Sequence, residues 1–121
     1  MSAIFLASNL SGQNLSVVDS LESLYTKGVE SDVELHILNK LIIKLTDSDK
    51  KLDYSQKLID LSLEKDSTQY LYSAYLERGN AFFYKGEMTS AIESFIESAE
   101  IARKEANERR LGTSFQSIAL V

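Results

Sequence analysis

The chain repeats itself at an offset of 40 residues, and few folds satisfy that constraint. The offset pairs Leu35 with Tyr75 and Phe115, Leu38 with Arg78 and Ile118, Asn39 with Gly79 and Ala119, and Ile42 with Phe82. It also pairs Leu71 with Leu111, Leu52 with Ile92, Leu61 with Ile101 and Ser62 with Ala102. Within each period apolar residues recur at three- and four-residue steps, the spacing of one helix face. Proline is absent and glycine occurs only 5 times in 121 residues, so nothing interrupts long helices, and strand-like alternation is hard to find. The pattern predicts an all-α chain of about six helices in an antiparallel helix-hairpin array.

The hairpin is clearest from Ser73 to Arg103, where two helical patterns meet at Lys85-Gly86-Glu87. The first carries Tyr75, Gly79, Phe82 and Phe83, the second Ala91, Ile92, Phe95, Ala99 and Ala102. A glycine inside a helix costs about 1 kcal/mol relative to alanine, so Gly79 points to close approach of a second helix, with Ala91 as the small residue opposite. The order bulky, Gly, aromatic, turn Gly, Ala, aromatic, small is met by Tyr75, Gly79, Phe82, Gly86, Ala91, Phe95 and Ser98-Ala99. In this the stretch resembles the tetratricopeptide repeat, with Arg78 where that family often has leucine. The 40-residue period resembles the variants with extended helices found in bacterial signalling proteins. The first repeat departs from the pattern: Lys51 stands where Ala91 stands, and Ser55 where Phe95 stands.

Residues 14–121 read as one domain, with repeat 1 over about 31–66, repeat 2 over about 67–106 and the start of repeat 3 over about 107–121. A leading helix should place Val17, Leu21, Leu24 and Tyr25 on one face, with Ser16 as cap and Gly28 as stop. The next is expected from Ser31, capped through the Ser31/Glu34 spacing, and should bury Leu35, Leu38, Leu41, Ile42 and Leu45. Asp47-Ser48-Asp49 caps a third helix with Leu52, Leu58, Ile59, Leu61 and Leu63. Ser67 or Thr68 caps a fourth that runs to Lys85; the fifth covers about Met88 to Ala106, and the sixth starts near Glu108.

Composition bounds the function. Hydrophobic residues make up 44% and charged residues 26%, as in a folded domain. The net charge is −5, with basic and acidic residues interspersed, which disfavours nucleic acid and anionic membrane faces as partners. Cysteine is absent, so there is neither a disulfide framework nor a thiolate metal site. Within residues 1–13, the run Ala3-Ile4-Phe5-Leu6-Ala7 is either the remnant of a signal peptide, which implies a periplasmic domain, or an N-terminal arm that packs Phe5 and Leu6 on the domain, consistent with a cytoplasmic one. No segment approaches the ~20 apolar residues of a membrane span.

Chemistry is sparse in this sequence. His36 is the only histidine and has Lys40 at i+4, so no metal site and no histidine-based triad is expected, and no cofactor. Glu93, Glu97 and Glu100 read as a solvated helix face. The aromatic residues Tyr70, Tyr72, Tyr75, Phe82, Phe83 and Tyr84 are the richest feature; Tyr75 and Phe82 fit core packing, whereas Phe83 and Tyr84 lie off the core face. The resemblance implies a partner-binding groove lined by the first helix of each repeat, here Val33, His36, Lys40, Ile43, Ser73, Leu76, Asn80, Phe83, Tyr84, Thr113 and Gln116. Only Lys40 and Asn80 suit capture of a terminal carboxylate, which disfavours that mode.

The implied function is a non-catalytic protein or peptide interaction module. The leader, the Asp19-Ser20-Leu21-Glu22-Ser23-Leu24-Tyr25 segment and the helices that follow resemble the N-terminal sensory region of bacterial membrane-anchored histidine kinases or nucleotide cyclases, whose catalytic domain lies downstream. The alternative is a free-standing adaptor. The apolar run Leu111, Phe115, Ile118, Leu120 and Val121 implies either a fragment of a longer array, the favoured reading, or a last helix covered by a second chain, and both add the expectation of a homodimer of the 121-residue chain through the C-terminal helix.

Overall fold

The computed structural model of the chain describes residues 13–121, so both readings of the apolar leader concern residues outside those described. Among the described residues six α-helices follow one another: α1 (Gln13–Lys27), α2 (Ser31–Lys44), α3 (Ser48–Glu64), α4 (Leu71–Tyr84), α5 (Met88–Lys104) and α6 (Glu108–Leu120). No strand occurs among the described residues. Each helix packs on the next across a short loop, so α2/α3 and α4/α5 are antiparallel hairpins, and α2 also touches α4. The phenolic hydroxyl of Tyr72 on α4 donates to the carbonyl of Arg110 on α6 at 3.1 Å. Alternate helices α2, α4 and α6 therefore share one side of the stack.

α2 is covered on two sides. Leu35, Leu38 and Ile42 pack with Leu58 and Ile59 of α3 and Leu71 and Ala74 of α4. Ile37, Leu41 and Leu45 form a second cluster under Val18, Leu21 and Tyr25 of α1. α1 thus docks through Val18, Leu21 and Tyr25, and not through the expected Val17 and Leu24, which are exposed. On α3 the buried positions are Ser55, Leu58, Ile59 and Ser62, while the expected Leu63 faces solvent.

In the second hairpin the close approach predicted at Gly79 is present, but its counterpart is Phe95. A Cβ on Gly79 would stand 2.4 and 2.5 Å from two ring carbons of Phe95, a distance no real contact tolerates. Ala91 is also fully buried, without being the residue that fills this space. At the α5/α6 junction, the Ser98 hydroxyl donates to the Phe95 carbonyl and lies 2.7 Å from the Ser114 hydroxyl, so Ser114 is left to donate to Ser98. Forty residues earlier the matching positions are Leu58 and Ala74, an apolar pair.

The helix ends differ from several expectations. Asp47 caps α3 by accepting the Lys50 amide at 3.1 Å, and Asn107 does the same for Arg110 on α6. Ser31 is instead the first residue of α2, preceded by Glu30 with no side-chain cap, so the expected capping box does not form. α1 already runs from Gln13, which leaves Ser16 inside it. α4 begins at Leu71 rather than 67 or 68, because the Ser67 amide closes α3 on the Ser62 carbonyl and the Thr68 carbonyl accepts Leu71 in a turn.

Three helices end in the same left-handed closure, 20 residues apart. After α4, Gly86 has φ +79°, its amide bonds Phe83 and the next amide bonds Phe82, as in a Schellman motif. Asp66 (φ +54°) and Ala106 (φ +53°) occupy the same place after α3 and α5, with the matching bonds Ser67 to Ser62 and Asn107 to Ala102. A Cβ in that region costs about 1–2 kcal/mol, partly offset by the lower chain entropy of a non-glycine residue when unfolded. Ala106→Gly should therefore stabilise the fold by about 0.5–1 kcal/mol in denaturant titrations, and Gly86→Ala should lose a similar amount; an Ala106→Gly chain no more stable than wild type would show the closure is unstrained.

Candidate partner-binding groove

The residues expected in the groove all lie on the side shared by α2, α4 and α6, and none is buried: Val33, His36, Lys40, Ile43, Tyr84, Thr113 and Gln116 are exposed, while Ser73, Leu76, Asn80 and Phe83 are half-buried. The structure brings only some of them together. Ile43 and Tyr84 face each other across a cavity of about 390 Å³ between the C-terminal ends of α2 and α4, floored by Leu45 and Ala81 and edged by Lys44, Thr46, Ser48 and Lys51. Asn80, Phe83 and Tyr84 meet Ser117 and Leu120 of α6 over a smaller hollow of about 90 Å³, with Phe95 behind it. Val33, His36, Lys40, Ser73, Leu76, Thr113 and Gln116 line neither space.

Tyr84 links the two hollows. It is 78% exposed and stands edge-on to Phe83, ring centroids 5.6 Å apart at 84°. Leu120 is equally exposed at the matching end of α6. Because α2, α4 and α6 run in the same direction, Ile43, Tyr84 and Leu120 form an apolar strip across their C-terminal ends. Ser117 and Leu120 were not among the residues singled out by sequence, although they continue the Thr113 and Gln116 positions by one helical turn.

Two polar groups expected to reach a ligand are occupied by the protein. His36 Nδ1 lies 3.1 Å from the Tyr70 hydroxyl just ahead of α4, the rings tilted at 52°. The Asn80 amide donates to Glu77 Oε1 at 3.0 Å, and the same oxygen receives Lys51 Nζ at 3.1 Å. The Lys51 and Glu77 side chains are only 14% and 15% exposed. Lys51 cannot pack as Ala91 does in the second repeat; instead it crosses from α3 to α4 and finds a carboxylate. A half-buried pair stripped of one partner leaves an uncompensated charge.

A second polar cluster fixes α1. The Tyr54 hydroxyl donates to Glu22 Oε2 at 2.6 Å, Lys50 Nζ reaches Glu22 Oε1 at 3.4 Å, and Tyr25 meets Tyr54 edge to face. Burial, then the hydrogen bond to the Glu22 carboxylate, push the Tyr54 phenol well above its ordinary range. Lys57 lies over both rings. Beside this cluster, α1 and the α2–α3 turn enclose a cavity of about 500 Å³, whose charged lining groups, Asp19, Glu22, Asp47, Lys44 and Lys50, are of both signs.

Among the described residues, no three His, Asp or Glu side chains converge in a way that could hold a metal ion, and no helix is long and apolar enough to cross a membrane. No protein-family model, curated protein or solved structure matches the chain.

Removing the Glu77 carboxylate should cost about 2 kcal/mol, since Lys51 is then left half-buried and alone. Glu77→Gln combined with Lys51→Met should recover most of that loss in chemical denaturation. Equal stability of Glu77→Gln and wild type would mean that the pair is effectively solvated.

Proposed function

We propose that the chain is a tetratricopeptide-like interaction module that holds a protein or peptide segment along the side formed by α2, α4 and α6. The observation that carries this reading is the strip of Ile43, Tyr84 and Leu120 with its two adjoining hollows. A folded chain gains nothing by leaving large apolar side chains in water at the same end of three successive repeats, whereas a bound segment would desolvate all three. Tyr84 is suited to anchoring: it offers a large rigid surface with few rotatable bonds, backed by Phe83. The repeat motif and the hairpin packing support the family resemblance. The bacterial signalling context, as the N-terminal sensory region of a histidine kinase or nucleotide cyclase, rests on sequence pattern alone.

The half-buried position of Phe83 makes Tyr84 the cleaner probe. Tyr84→Ser should leave stability within about 0.5 kcal/mol of wild type, as exposed positions usually do, while abolishing capture of the partner recovered with the complete gene product. Recovery of that partner at undiminished yield by Tyr84→Ser would overturn the proposed site.

A further inference from the structure

We infer that the cavity between the C-terminal ends of α2 and α4 takes an acidic side chain of the bound segment, an Asp or Glu standing two positions from a large apolar residue. The inference rests on the groove proposed above and names the chemistry of its occupant. Of the residues around that cavity only Lys44 and Lys51 are charged, and both are positive. This runs against the composition of the chain, in which 18 acidic side chains outnumber 13 basic ones. The cavity beside α1 is lined by charges of both signs and the hollow next to Leu120 by none, so a single sign is particular to this place. The internal repeat points the same way: at the 40-residue offset Lys44 and Lys51 are matched by Tyr84 and Ala91, and the charge is gone.

The carboxylates nearby are already engaged. Asp47 accepts the Lys50 amide as the cap of α3 and lines the other cavity. Asp49 pairs with Lys85, and Glu77 with Lys51. Lys44 is exposed and has no carboxylate within ion-pair distance among the described residues, so its charge is the one left uncompensated. Glu77 takes one donor of the Lys51 ammonium and leaves others to donate, while Thr46 and Ser48 add hydroxyls to the same lining. A wholly apolar segment would gain contact with Ile43 and Tyr84, yet it would strip water from the ammonium groups and offer nothing in return. A carboxylate replaces that water. In an extended segment residues two apart fall on the same side, ~7 Å from each other, so one can meet Ile43 and Tyr84 while the other reaches Lys44. This differs from capture of a chain terminus, for which Lys40 and Asn80 are the suited residues, since any internal acidic residue serves.

Amide chemical shifts of the isotope-labelled chain, followed during titration with three pools of peptides, test it. The pools carry a fixed Leu-Ser-Glu, Leu-Ser-Gln or Leu-Ser-Lys between randomised uncharged flanks, and their blocked ends hold no carboxylate. The Glu pool should move the resonances of Lys44, Thr46, Ser48 and Tyr84 and bind about tenfold tighter than the Gln pool at low salt. That preference should fade as salt rises from about 0.05 to 0.5 M. Lys44→Glu changes an exposed position, so the chain should stay as stable as wild type while its preference reverses to the Lys pool. Equal binding of the Glu and Gln pools at Ile43 and Tyr84 would overturn the inference and leave the groove standing. A Glu preference that survives Lys44→Glu, or no binding by any pool, would overturn it as well, and capture by the Tyr84→Ser chain then judges the groove separately.

Discussion

The structure turns on one contact, the Phe95 ring lying in the space that a side chain at position 79 would fill. Helices normally stand 8–10 Å apart, held off by their side chains, and a glycine is the residue that lets an aromatic ring reach the neighbouring backbone. With the ring in that place, α5 closes on α4, Ala91 and Ala99 follow it into full burial, and the Phe95 carbonyl accepts the Ser98 hydroxyl that in turn meets Ser114 of α6. The helix-propensity cost of Gly79, about 1 kcal/mol, is small beside the 3–5 kcal/mol expected for losing a buried phenylalanine. The same contact brings the far side of Phe95 up to the hollow between Tyr84 and Leu120.

The first repeat solves the same packing problem by other means. Ser55 replaces the ring, is fully buried and satisfies its hydroxyl on the Leu52 carbonyl, while Lys51 replaces a buried alanine and reaches across to Glu77. What the hairpin loses in tight packing it regains from α2, whose second apolar face is covered by α1. The polar ties of Tyr54 and Lys50 to Glu22 then fix that covering helix in register. The two repeats therefore share a topology while depending on different interactions, ring on glycine in one, ion pair and added helix in the other.

Much of this was legible in the sequence because period and turn chemistry are local. The helix order, the stop at Gly86 and the glycine contact follow from spacing, and the structure has all of them. What was not legible depended on the third dimension. Ile37 is buried because α1 covers a second face of α2, and a single-stripe pattern does not reveal a second neighbour. The partner of Gly79 was read as Ala91 on the rule that small faces small, whereas a missing Cβ is filled best by a flat ring one turn further along. The left-handed ends at Asp66 and Ala106 carry no glycine to announce them. Leu120 reads in the sequence as part of the apolar end of the array and not of its inner side, and Ser117 carries no signal of its own.

If the close approach of α4 and α5 is the feature that organises both the core and the exposed strip, it should be visible directly in solution. Nuclear Overhauser and chemical-shift measurements on the folded chain address it at one pair of residues. The account predicts strong cross-peaks between the Gly79 α-protons and the Phe95 ring protons, with at least one α-proton displaced upfield by the ring current. Gly79 α-protons at ordinary helical shifts, with no cross-peak to Phe95, would contradict it.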